Sequence, residues 1–279
     1  MITNMLKAIL AGIVEGITEW LPISSTTHLR LLNLLFPIRE PEAFIALFEV
    51  VIQLGAILAV LVLYWPRLWP FAQKGEEKTV FGFLRADAAH LWLMVLVAIV
   101  PSALAGIPLD DWIDARLDRW PVIAVMLIAY GIAFIAVDRP KRGGRIRRAE
   151  QIGVRTALLI GCAQALALIP GTSRSGATIL GGILAGCTRA ASVEFSFFMA
   201  IPTMAGASLI KLLKTGGQLP LSQVLILLCG LLSAFIVSLL CISHLVSGLK
   251  RHTFAGFGLY RIALGLALLA LVAAQILPA

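Results

Sequence analysis

Glu15-Gly-Ile-Thr-Glu19-Trp-Leu-Pro22-Ile-Ser24-Ser25-Thr26-Thr27-His28 puts two carboxylates, a proline, a run of hydroxyls and an imidazole inside an apolar segment running from Met1 to Phe36. Proline interrupts a helix. Each half of the segment is then too short to cross a bilayer, which takes roughly 20 apolar residues. The predicted form is a half-helix that dips in, breaks and returns. Irregular backbone persists at membrane depth only where protein or a polar cavity satisfies its amides. The break should therefore lie at an interior site and not against lipid. A second segment, Thr156 to Thr188, has the same construction, broken by Pro170, Gly171 and the hydroxyls around Arg174.

Between and beyond these segments lie six long apolar stretches: Ala43 to Tyr64, His90 to Leu109, Trp120 to Val137, Ser192 to Leu212, Leu219 to Leu249 and Arg261 to Pro278. The fifth exceeds one crossing, so it should tilt or extend beyond the bilayer. The chain of 279 residues is 59% hydrophobic and 14% charged, where a soluble domain carries roughly a quarter charged residues. The expected class is an all-α integral membrane protein, a single polytopic unit. It should have six transmembrane helices and two re-entrant helix-loop-helix segments. The N-terminal stretch lacks a small-residue cleavage site after its apolar run, so no removable signal peptide is expected.

The two halves, about 1–138 and 151–279, read alike. Gly12-Ile-Val-Glu15 compares with Gly161-Cys-Ala-Gln164, and each is followed by a proline with a serine three residues on, Ser25 after Pro22 and Ser173 after Pro170. Glu49 and Glu194 hold similar places near the start of the next stretch. Each half has one broken segment and three spans. An odd number inverts the second half relative to the first, the inverted-repeat plan in which broken helices meet near the midplane.

The net charge of +8 does not point to nucleic acid, because the basic residues gather in loops where they set topology. Arg67 to Arg85, Arg139 to Arg155 and Lys250-Arg251 fall on one face. The acidic stretch Asp110, Asp111, Asp114 and Asp118 falls on the other. The basic face is expected in the cytoplasm, with both termini outside. Cys162, Cys187, Cys229 and Cys241 have no metal-ligand or redox spacing and read as small buried hydrophobes. His244, alone in an apolar span, reads as a satisfied packing residue.

Charge within a membrane segment costs on the order of 2.5–3.5 kcal/mol on the lenient scale. The polar groups at the two breaks therefore mark a candidate site. Arg174 would hold phosphate oxygens through its planar fork, and free amides at the half-helix starts favour anions. Ser24, Thr26, Ser173 and Ser175 line the same breaks. Ser25 would attack phosphorus, with Glu19 or His28 taking its proton. Glu15 and Glu19 could instead hold a divalent cation bridging a diphosphate. Glu49 and Gln53, four apart, share one helix face. A structural ion pair between the carboxylates and Arg174 is the bland alternative. Gly171-Thr-Ser-Arg-Ser-Gly176 is neither a nucleophile elbow nor a P-loop, since the flanking Gly and the Gly-Lys-Ser/Thr are missing.

Glu15 to Thr26 with His28 resembles the first signature of the undecaprenyl-diphosphate phosphatases, the membrane enzymes linked to bacitracin resistance. Phe48 to Gly55, Pro170 to Gly176 and Glu194-Phe-Ser-Phe197 resemble their further motifs, in order along nearly the whole chain. The resemblance implies removal of the terminal phosphate of undecaprenyl diphosphate, which recycles the lipid carrier of peptidoglycan synthesis. It implies a multi-pass protein of the inner (plasma) membrane with its site open to the outer, periplasmic face, and a divalent cation, Mg2+ or Ca2+. The acidic pair falls on Glu15 and Glu19, the nucleophile on Ser25, and the further site residues on His28 and Arg174. Thr27 stands where the family commonly has a small residue. The lipid bilayer is the expected surrounding, and a homodimer is left open. The rival function is a transporter or flippase for a phosphorylated prenyl lipid, which would need Arg174 but not Ser25. A structural membrane subunit would leave the buried charges unexplained.

Overall fold

The computed structural model describes residues 1–72, 82–137, 144–215, 219–248 and 253–278, without the side chains of 110, 111, 114, 210, 211, 213–215 and 245–248. Arg139, Lys141, Arg142, Lys250 and Arg251, on which the orientation reading leans, lie outside these residues, as do the side chains of Asp110, Asp111 and Asp114.

The described residues form ten α-helices: α1 (Ile2–Thr18), α2 (Ser25–Leu35), α3 (Glu42–Leu68), α4 (Ala86–Leu117), α5 (Trp120–Val137), α6 (Val154–Ala165), α7 (Arg174–Leu184), α8 (Arg189–Thr215), α9 (Leu221–Gly248) and α10 (Ala255–Ala273). Six of them, α3, α4, α5, α8, α9 and α10, are long and apolar enough to cross a membrane. α9, at 28 residues, is about 42 Å long at 1.5 Å per residue and exceeds the hydrocarbon core, as its sequence suggests. The chain is thus an all-helical, multi-pass membrane protein.

Its polarity is that of a protein in lipid. Leu104, Ile107 and Leu240 are exposed, while Glu15, Ser238 and Arg261 are fully buried. α1 lies along α9, α3 contacts α8 and α9, α4 packs on α6, and α5 packs on α10. Without a hydrophobic force between helices, such pairs rely on small residues that let backbones approach. A Cβ on Gly12 would lie 2.3 Å from the Gly230 carbonyl of α9. Where α5 meets α10, Gly131 and Gly258 face each other with equally little room.

Three expectations are corrected. The last span begins at Ala255, not at Arg261, because the charge read as a boundary is buried inside the bundle and hydrogen-bonded there. α4 continues to Leu117, so Asp110, Asp111 and Asp114 lie on a helix and not in a loop, and Asp118 follows directly as its C-cap. Cys162 is exposed, on the outward side of α6, since an apolar thiol suits lipid as well as a core. His244 is also exposed, with its imidazole Nδ1–H donating to the Leu240 carbonyl one turn back.

Candidate active site

The two breaks share a backbone device. Ser24 and Ser173 both adopt positive φ, 74° and 72°. Each stands immediately before an 11-residue helix, α2 or α7. The left-handed residue turns the chain so that the next helix can start in a new direction. This pairs Ser173 with Ser24 and not with Ser25, one residue off the spacing counted from the prolines. The Ser173 side chain caps α7 by accepting from the Gly176 amide at 3.2 Å. Ser24 makes no such cap and bonds the Thr27 hydroxyl at 2.9 Å. Thr27 thus supports the turn where a smaller residue would leave Ser24 without this partner. Gly171, at φ 89°, completes the second break: a Cβ there would sit 2.5 Å from the Ile123 carbonyl.

The turns bring the tips together. Ser25 Oγ donates to Glu19 Oε2 at 2.6 Å. Arg174 Nη2 donates to Glu19 Oε1 at 2.9 Å, and Nη1 to the Ser196 carbonyl at 2.8 Å. One carboxylate therefore bridges a hydroxyl of the first tip and a guanidinium of the second. Glu19 and Ser25 are buried, so both contacts act in a low-dielectric setting where they are strong. Ser175 donates to the Leu21 carbonyl at 3.3 Å and bonds Ser173 at 3.2 Å, closing the tips from the other side. Thr178 bonds Ser196 at 2.6 Å and so steadies the helix bearing Arg174.

The remaining expected residues divide. His28 lies beside the same tip but bonds elsewhere: its Nδ1–H donates to the Ser24 carbonyl at 2.7 Å, and Nε2 meets the Tyr260 hydroxyl at 2.7 Å. The contact to Ser25 belongs to Glu19. Thr26 is exposed at the head of α2. Gln53 is half-buried on α3, and among the described residues no hydrogen bond joins it to Ser25, Glu19 or Arg174. Glu194 does not join the site; with Glu150 it pairs Arg67, 3.0 Å and 2.6 Å away. Below the tips Trp20, Tyr64, Phe197 and Phe198 form a buried aromatic layer.

Four groups at the tips have buried polar atoms without a hydrogen-bond partner: both oxygens of Glu15, Trp20 Nε1, the Thr172 hydroxyl and Arg174 Nε, of which Glu15 and Arg174 carry the chemistry. Native proteins seldom leave such groups unmatched, and of these two Glu15 accepts while Arg174 Nε–H donates. Glu15 lies within electrostatic reach of Glu19, Glu49 and Arg174. No group of three or more His, Cys, Asp or Glu among the described residues forms a ready metal cage. A two-carboxylate site still fits a hard cation that takes its other oxygens from a phosphate.

Tyr260 and Arg261 escaped the sequence reading. Arg261 reaches both breaks, with Nη1 on the Pro22 carbonyl and Nη2 on the Gly171 and Thr172 carbonyls, each at 2.9 Å. The signal was present in the sequence: a charge in an apolar run costs the same on α10 as on α7.

Fold and site together define a multi-pass helical membrane protein in which a buried hydroxyl and carboxylate meet a partly buried guanidinium from a second broken segment. The chain belongs to the family described as bacitracin resistance protein BacA, whose model matches residues 8–267. It is 49% identical to the undecaprenyl-diphosphatase of Enterococcus faecalis, over 97% of this chain and 98% of that one. It is 48% identical to the undecaprenyl-diphosphatase of Acetivibrio thermocellus, over 94% and 96% of the two chains. With undecaprenyl-diphosphatase 1 of Oenococcus oeni it shares 45% identity over 99% of its own length.

Proposed function

We propose that this protein hydrolyses undecaprenyl diphosphate to undecaprenyl phosphate and orthophosphate, returning the lipid carrier to cell-wall synthesis. The observation that carries the reading is the Ser25–Glu19 hydrogen bond with Arg174 on the other carboxylate oxygen. The relatives' shared name supports the substrate, and the family's name ties the activity to bacitracin resistance.

Glu19 takes the Ser25 proton as Oγ attacks the terminal phosphorus. The bond from that phosphorus to the bridging oxygen breaks, and its electron pair leaves on undecaprenyl phosphate. Arg174, with its unmatched Nε–H, meets the charge on the transferring oxygens. Water then attacks the phosphoserine and Glu19 returns its proton to Oγ. One proton of that water stays on orthophosphate, and the other passes to His28 Nε2, which gives up its bond from the Tyr260 hydroxyl and then releases the proton to solvent. Glu15 and Glu19 are the residues that would hold a divalent cation, Mg2+ or Ca2+. When bound, the cation supplies charge neutralisation on the diphosphate. Ser24, Thr26, Ser173, Ser175 and Gln53 are the remaining polar groups assigned to the substrate side.

The finer architecture follows the same reading. α1–α2 and α6–α7 are re-entrant hairpins, and the halves are inverted repeats. The two left-handed serines support this. So does part of the packing: α1 on α9 answers α6 on α4, and the pairs α3–α8 and α5–α10 each map onto themselves when the halves are exchanged. The plasma membrane is the location that fits the substrate. The site opens to its outer face, as the loop charges suggest.

The test is phosphate release from a long-chain prenyl diphosphate by purified protein in detergent. Release with Mg2+ or Ca2+ is expected, and none would refute the reading. A transporter would keep its biological activity in Ser25→Ala with no phosphatase detectable; the Ser25–Glu19 bond favours loss of both.

A further inference from the structure

The geometry points to Arg261 as the positioning residue that holds the two tips in register for the reaction. The inference rests on the phosphatase reading above. Arg261 sits on α10, one residue after the tyrosine that bonds His28, and is fully buried. Its guanidinium donates to four carbonyls: Pro22 of the first break, Gly171 and Thr172 of the second, and Leu127 of α5 at 3.4 Å. It lies over the Tyr130 ring, 5.5 Å from the centroid. No carboxylate pairs with it among the described residues.

These contacts have a consequence for the chemistry. Pro22 is three residues from both Glu19 and Ser25, and Thr172 is two from Arg174. The two backbones that carry the nucleophile and the phosphate-binding group are therefore tied to one rigid, planar fork. Carbonyls at a helix break have lost their helical partners, and in the bilayer interior no water replaces them. A guanidinium satisfies several such carbonyls at fixed mutual angles. An ammonium on a flexible stem offers a point charge instead. Arg261 touches neither Glu19 nor Ser25, so it acts through the backbone.

Arg261→Lys keeps the charge and removes the fork. The expected result is a fall of about 100-fold in kcat, the scale of a misplacement near 1 Å. KM should stay within about two-fold, with no change in the shape of the pH–rate profile. The variant should remain monodisperse in detergent, because the close glycine contacts of α5 with α10 at Gly131 and Gly258 are kept. A second variant covers failure of the first to fold. A Cβ at Gly176 would lie 3.3 Å from Arg261 Nη1, so Gly176→Ala crowds the guanidinium without removing it and should lower kcat several-fold. Folded Arg261→Lys with at least half the wild-type kcat, or Gly176→Ala with unchanged kcat, overturns the inference. A loss carried by KM alone also overturns it. Wild-type protein in the same assay separates the two readings: its failure to release phosphate sinks the phosphatase, whereas active wild type with active variants sinks only the role of Arg261.

Discussion

The two broken segments are built alike and equipped differently. Each turns on a left-handed serine before an 11-residue helix. The first tip carries Glu15, Glu19, Ser25 and His28, groups that accept and move protons. The second carries Arg174 between two serines, a group that holds anions. Even matching positions diverge: Glu15 is buried without a partner, whereas its counterpart Gln164 is bonded to Ser102 at 2.7 Å. One backbone solution used twice thus yields two differently equipped tips, and in the proposed mechanism neither alone contains both nucleophile and phosphate clamp.

That division can be broken from either side. The largest effect belongs to the side chains that meet across the tips: Ser25→Ala and Arg174→Ala should each lower kcat/KM by about 10³-fold or more, read as phosphate release per folded protein. Retention of activity by either variant would mean that its tip is dispensable. Next comes the backbone of the second tip. Gly171→Ala places a Cβ 2.5 Å from the Ile123 carbonyl at a φ of 89° and should cost about 2–4 kcal/mol. It should be seen as a lower melting temperature together with loss of activity.

Glu15→Gln sharpens the chemical asymmetry. It removes a fully buried carboxylate that has no hydrogen-bond partner. Stability should change by under about 1 kcal/mol, because the amide leaves a buried polar group unmatched much as the carboxyl does. Dependence on added divalent cation should weaken, with activity lower at every concentration. The smallest effect compares the left-handed residues themselves. Ser24→Gly removes strain and no helix cap but also takes away the bond to the buried Thr27 hydroxyl, so the two offset and the net change should stay within about 1 kcal/mol. Ser173→Gly also loses the bond from the Gly176 amide and should come out less favourable in the same thermal assay.

Much of this was legible in the chain, for physical reasons. Apolar runs near the bilayer's thickness announce α3, α5, α8 and α9, and a proline followed by hydroxyls announces each break. Arg174 stood out because charge in such a run is costly. Arg261 did not, since it reads as the edge of its apolar stretch, although the run begins at Ala255 and a charge inside it is as costly as Arg174. The choice between Glu19 and His28 as partner of Ser25 was likewise hidden. Both are within one turn of the break, and rotamers decide which bond forms. Tyr260 lies far from the tip in sequence, and no local pattern links it to His28.

The claim that both tips make one hydrolytic centre is tested most directly by acid-quenching the protein in turnover with a prenyl diphosphate labelled in its terminal phosphate. Label covalently bound to Ser25 in the wild type, and absent in Arg174→Ala, is the expected result. Full turnover with no label on Ser25, or equal labelling without Arg174, would contradict it.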